Sequence, residues 1–220
     1  MSRSTTHTFT CPCDKVFNYQ QYEYVNAAED PQLRYIVLAG LVNVATCPNC
    51  GRRAAFANPF IYSDPAYDLL AYVHPRPNLP DEARLLILEK LRTTYKDIVA
   101  MQVQQEGDGN GEHMNGGRVV AVSPSQASEF PPLKVLFGLE QLADVINGLL
   151  SHEERLGKLA LHTQSRSEAA RGQFLDIMRK FATEMGCFIE VEDLPDEYTV
   201  WIYGSRRQIG AIIRALAPRE

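Results

Sequence analysis

Cys11-Pro12-Cys13 and Cys47-Pro48-Asn49-Cys50-Gly51 are the stretches that decide how the first half of this chain is read. Two close cysteine pairs separated by a foldable segment can place four thiolates at the corners of one tetrahedron, as a structural zinc ion requires. Cys11, Cys13, Cys47 and Cys50 are therefore the candidate metal ligands, and Zn2+ is the expected cofactor. In the second pair the intervening residues turn the chain so that backbone amides face the sulfurs, and Gly51 accepts the positive φ that follows. The first pair has a single intervening residue, Pro12, which restricts the turn. Catalytic zinc keeps an open position, usually with three protein ligands, whereas four thiolates close the site. Iron in a rubredoxin-like or cluster site and a metal-free redox dithiol are the other readings of these four residues.

At 220 residues the chain can form one large domain or two smaller ones, so the metal need not hold everything together. A hydrophobic share of 45% with 22% charged residues excludes disordered and collagen-like classes. No stretch approaches the ~18 consecutive apolar residues of a membrane span. The start, Met1 to His7, lacks an apolar signal core, and the expected compartment is the cytoplasm. Five cysteines in a reducing compartment favour thiolates over cystines. The formal charge of −5 is unevenly spread, with five basic against four acidic residues up to Phe60. A near-neutral cysteine region lacks the basic excess that non-specific nucleic-acid binding needs.

Outward from the first knuckle, residues 7–10 and Val16 to Asn26 read as two strands with Cys11 and Cys13 in the turn between them. Asp30 as N-cap and Pro31 at the first helical position open a short helix that ends near Gly40 to Asn43 and returns the chain to Cys47. Residues 54–57, 60–62 and 69–73 read as strands, with a turn at 63–66. The hairpin from Phe60 to Val73 is expected to pack its aromatic face on the cysteine-bearing sheet. Three prolines between His74 and Pro80 end it. Leu85, Leu88, Leu91, Tyr95, Ile98 and Val99 form one face of a long helix from Asp81 to Gln105. A Gly-rich polar loop, 106–117, follows. Val119 to Val122 reads as a short strand, and Leu139 to Leu150 as a helix, either continuing as an arm through Glu153 and Leu159 or breaking near Gly157. The remainder reads helix 167–185, strand 187–192, strand 198–203 and helix 206–216, a small unit that must pack on the rest or on another subunit.

Cys11-Pro12-Cys13, the Asp30-Pro31 helix start, Cys47-Pro48-Asn49-Cys50-Gly51 and Pro59-Phe60-Ile61-Tyr62-Ser63-Asp64 together resemble the bacterial and archaeal CpXC family. Val135-Leu136-Phe137-Gly138-Leu139 before a helix is similar to that family's end. The resemblance spans roughly Phe9 to Leu150. It implies a zinc-ribbon-like domain and no particular reaction. One departure is Asp14, which stands in the first knuckle where the second has Gly51.

Several other residues carry a sharp reading beside a plain one. The loop from Asp108 offers acidic oxygens at alternate positions like a calcium loop, but its twelfth position is Val119 rather than Glu. His7 could ligate the metal, or simply be a surface strand residue. Cys187 reads as a buried strand thiol. Gly204-Ser205-Arg206-Arg207 could cradle a phosphate, although Ser205 is also a good helix N-cap. His152-Glu153-Glu154 lacks a second His at helical spacing for a metallohydrolase. Tyr19, Tyr22 and Tyr24 could stack bases, but without interleaved Lys or Arg they read as strand packing.

The sequence thus predicts an α+β protein: a zinc-ribbon-like antiparallel β domain with accessory helices over 1–150, and a small α-β-β-α module over 151–220. The function expected is that of a non-enzymatic, zinc-stabilised interaction or scaffold protein with no catalytic residues and no small-molecule substrate. Its partner would be another protein or a second copy of the chain, self-associating through the C-terminal half, and no membrane. A nucleic-acid-binding regulator and a thiol redox sensor are the alternatives.

Overall fold

The computed structural model describes residues 1–107, 132–165, 167–193 and 197–216, with the side chains of 95–107 set aside. Two compact units result: Met1–Arg76 together with Pro132–Glu220, and Pro77–Pro131. The chain is α+β, with mixed and antiparallel sheets and five α-helices among the described residues.

In the first unit, β1 (Arg3–Thr10) and β2 (Val16–Asn26) pair antiparallel across the first cysteine turn. Helix α1 (Pro31–Leu38) follows, with Asp30 at the N-cap position and Pro31 in the first turn. The Asp30 carboxylate does not cap the helix; it accepts from the Ser2 amide at 3.0 Å, tying down the start of β1. Gly40, at φ +72°, stops the helix as expected. Two short strands, β3 (Val44–Thr46) and β4 (Arg53–Ala55), flank the second cysteine pair. Next come β5 (Phe60–Asp64) and β6 (Leu69–His74), an antiparallel hairpin closed by a 3-10 turn, Pro65–Tyr67.

The expected placement of that hairpin is corrected by the structure. It does not lie on the cysteine-bearing sheet but joins it edge to edge, β5 running parallel to β2. The strand order is β1-β2-β5-β6-β7, where β7 (Leu133–Phe137) runs parallel to β6. Alternation explains why: Phe60, Tyr62 and Asp64 of β5, like Leu69, Ala71 and Val73 of β6, point to one buried face, which α1 and α3 (Leu139–Leu149) cover. Val25, Leu33, Val37, Tyr62, Val73, Leu142 and Ile146 are nearly inaccessible there. Each such side chain contributes roughly 1.5–3 kcal/mol by leaving water.

Helix α3 ends at Leu150, whose backbone turns extended, so there is no helical arm. In its place a turn over 151–155 leads into β8 (Leu156–Thr163), a strand that the Leu- and Ala-rich sequence does not announce. Pairing makes it one: β8 runs antiparallel to β10 (Tyr198–Ser205), which also pairs with β9 (Phe188–Asp193). Helices α4 (Glu168–Glu184) and α5 (Arg206–Leu216) cover one face of this three-stranded sheet through Met178, Ile209 and Ile212, and α1 packs against β9 and β10.

The second unit contributes α2 (Asp81–Gly107), the expected long helix, which includes the first two residues assigned to the Gly-rich loop. Leu85 and Leu88 are exposed on it. The rest of that loop, the calcium-like positions from Asp108 and the strand expected at 119–122 lie outside the described residues. No described helix is long and apolar enough to cross a membrane.

Candidate metal centre

Cys11 and Cys13 sit in the β1–β2 turn, Cys47 and Cys50 in the β3–β4 turn, and all four are free thiols. Their Sγ atoms lie within 4.8 Å of one another. Cys11 Sγ is 3.6 Å from Cys50 Sγ, and Cys13 Sγ is 3.6 Å from Cys47 Sγ. A tetrahedron with metal–sulfur bonds of about 2.3 Å has edges of about 3.8 Å, so two of the six edges are near that length and none of the others exceeds it by more than about 1 Å. Cys11 and Cys47 are buried while Cys13 and Cys50 meet solvent, so an ion would sit just beneath the surface.

The two turns reach this geometry in parallel ways. The Cys11 amide donates to Lys15 O and the Asp14 amide to Cys11 O in the first; the Cys47 amide donates to Arg52 O and the Gly51 amide to Cys47 O in the second. Each needs a left-handed residue after its last cysteine, and Asp14 at φ +63° adopts the conformation that Gly51 takes at +67°. Asp tolerates that region better than most residues with a Cβ, which reconciles the two unequal knuckles.

Polar groups around the sulfurs favour the thiolate. The Asn49 side chain donates to Cys13 Sγ at 3.6 Å, and with the Lys15 amide it draws that thiol down to about 6. Burial opposes the Cys47 thiolate, but the Asn49 and Cys50 amides outweigh it and lower Cys47. The Cys13 amide favours a Cys11 thiolate, yet burial and the neighbouring sulfurs prevail and push Cys11 up to about 12. Four thiols so close cannot all ionise unaided, and a divalent cation relieves that repulsion. Soft, closely spaced sulfurs suit a thiophilic ion such as zinc or iron, and Asn49 is a supporting residue that spacing alone did not single out.

Aromatic side chains brace the two knuckles. Tyr19 stacks on Phe56 at 4.2 Å between ring centroids, Phe9 packs edge-on against both Phe17 and Phe56, and His7 stacks on Tyr19. His7 is thus a strand residue outside the cysteine cluster, and Tyr19 serves packing.

The remaining candidates have structural explanations. Cys187 is half-buried, and burial pushes its thiol up to about 11. At Gly204–Arg207, Ser205 Oγ accepts from the Gln208 amide at 3.1 Å while Gln208 Oε1 accepts from the Ser205 amide at 2.7 Å, a reciprocal cap. The Arg206 and Arg207 amides donate to Arg155 O and Glu153 O, so these donors of α5 are engaged within the protein. His152 lies beside the Arg206 guanidinium, and Glu154 accepts from Ser151 and Tyr67.

Fold and site together define an α+β protein whose four-cysteine cluster is compatible with a zinc-ribbon-like, metal-binding site. The model of the family described as CpXC protein matches residues 9–146, more than half of the chain, which therefore belongs to the CpXC family. No curated protein and no solved structure matches it.

Proposed function

We propose that Cys11, Cys13, Cys47 and Cys50 hold one structural Zn2+ and that the protein is a non-enzymatic, zinc-stabilised interaction or scaffold protein. The observation that carries this reading is the closed set of four sulfurs, all within 4.8 Å of one another. A fourth thiolate takes the position that catalytic zinc reserves for water or substrate, so the ion's work is to fasten two turns. Asn49 and the knuckle amides orient the sulfurs of Cys13 and Cys47; the aromatic contacts of Phe9, Tyr19 and Phe56 are what the fastening aligns. The partner is another protein or a second copy of the chain.

Elemental analysis together with molar mass in solution tests the reading, on protein purified without added metal. The expected result is about one zinc per chain, lost in Cys47→Ser together with the ordering of the two cysteine turns. Iron in its place, or a metal-free protein whose thiols cycle reversibly through disulfides, would overturn it in favour of an iron or redox site.

A further inference from the structure

We infer that metal occupancy at the four cysteines is coupled to the seating of the three-stranded sheet through one buried carboxylate, Glu190. The inference rests on the metal-site reading above and concerns residues none of which touches the ion.

Glu190 lies on β9 and is only 8% exposed. It receives three donors: Thr46 Oγ1 at 3.0 Å, Arg53 Nη2 at 2.8 Å and the Tyr203 hydroxyl at 3.2 Å. Tyr203 belongs to β10, beside Glu190 in the same sheet. Burial and the Glu190 charge push its hydroxyl up to about 12, so it remains a donor. Thr46 and Arg53 come from far away in sequence, 144 and 137 residues distant. They are the paired residues that close the second knuckle, Thr46 preceding Cys47 and Arg53 following Gly51-Arg52.

The coupling follows from what holds that pair in place. Strands β3 and β4 have three residues each, and a ribbon of that length is marginal by its own pairing; the contacts of Asn43 with Tyr22 and of Phe56 with Phe9 and Tyr19 hold its far end, not the Thr46–Arg53 end. With an ion joining Cys47 and Cys50 to Cys11 and Cys13, Thr46 and Arg53 are held where Glu190 needs them. Without it the knuckle frays, and Glu190 keeps one donor, Tyr203, in a site where an uncompensated charge is costly. The sheet must then loosen until water reaches the carboxylate. Linkage makes the effect reciprocal: removing the latch must weaken the metal by the factor that removing the metal weakens the latch.

The test is zinc affinity by competition with a chromogenic chelator, in the full chain and in Glu190→Gln. The amide keeps the shape but turns an NH2 toward donors. Affinity should fall on the order of tenfold, while far-UV circular dichroism stays that of the parent. Trp201, the chain's single tryptophan, sits opposite Glu190 in the β9–β10 register. Chelation should make Trp201 more accessible to acrylamide in the parent and change it little in Glu190→Gln. A folded Glu190→Gln with parental affinity overturns the coupling, even if its unfolding midpoint falls, because that is what a merely structural carboxylate would do. If Glu190→Gln does not fold, Thr46→Val decides, since it removes a latch donor and keeps the branched shape: weakened zinc supports the coupling and parental affinity overturns it. A parent chain that takes up no zinc overturns the metal-site reading and the inference with it, whereas a parent that binds zinc with Trp201 indifferent to chelation overturns the inference alone.

Discussion

Arg34→Met should be among the most damaging single substitutions in this protein, because of what it leaves behind. Asp64, 1% exposed at the end of β5, accepts Arg34 Nε at 2.8 Å and Arg34 Nη2 at 3.0 Å in a two-pronged pair, and the Tyr62 hydroxyl at 3.1 Å. Asp64 lifts the guanidinium pKa against the opposing effect of burial. The pair ties α1 to β5, and Arg34 also lies over the Tyr67 ring at 5.3 Å. Unit charges about 4 Å apart attract by roughly 4 kcal/mol at an effective dielectric constant of 20. Removing one partner of such a buried pair costs about 3–5 kcal/mol, since the other charge is stranded. For a chain of this length, that corresponds to a fall in Tm of roughly 6–20 °C. Urea unfolding of the zinc-loaded protein measures the loss directly. Replacing the whole group, Arg34→Met with Tyr62→Phe and Asp64→Leu, should recover most of it, because no buried polar atom is then left without a partner. The reasoning is refuted if Arg34→Met costs less than about 1 kcal/mol, the range of a solvated pair, or if the triple variant is no better than the single one.

Two further outcomes test the close packing and the thiol environment. A Cβ on Gly157 would meet Ile209 Cγ1 at 3.0 Å and the Arg206 backbone at 3.1 Å, so Gly157→Ala should lower stability by about 1–2 kcal/mol, and an unchanged urea midpoint would contradict that approach. In zinc-loaded protein only Cys187 lies outside the cluster, and with its thiol near 11 about one part in a thousand is thiolate at pH 8. Thiol titration should therefore find almost no fast-reacting cysteine until a chelator releases four, with Cys187 reactivity rising about tenfold per pH unit up to its pKa. Five equally fast thiols before chelation would refute this.

Legibility in the sequence followed the range of the forces involved. Cys11-Pro12-Cys13 and Cys47-Pro48-Asn49-Cys50-Gly51 announced the cluster because knuckle geometry is set by a few consecutive residues. The β1–β2 hairpin, α1 up to Gly40 and the α4-β9-β10-α5 succession were readable for the same reason: turns, caps and periodicity are local. Strand β8 was not, because Leu156 to Leu161 has no β-branched residue and takes its conformation from hydrogen bonds to β10. Nor was the parallel placement of β5 beside β2, which depends on how α1 carries the chain back over the sheet.

The sequence by itself determined the α+β class, the four cysteines that cluster and the order of most elements, since spacing and alternation act within a few residues. Only the tertiary structure decided that Asp14 mirrors Gly51, that Arg34 closes on Asp64, and that Glu190 receives Thr46 and Arg53 from the second knuckle. Buried charges must find partners wherever the fold brings donors, and for Glu190 two of its three donors lie more than a hundred residues away in the chain.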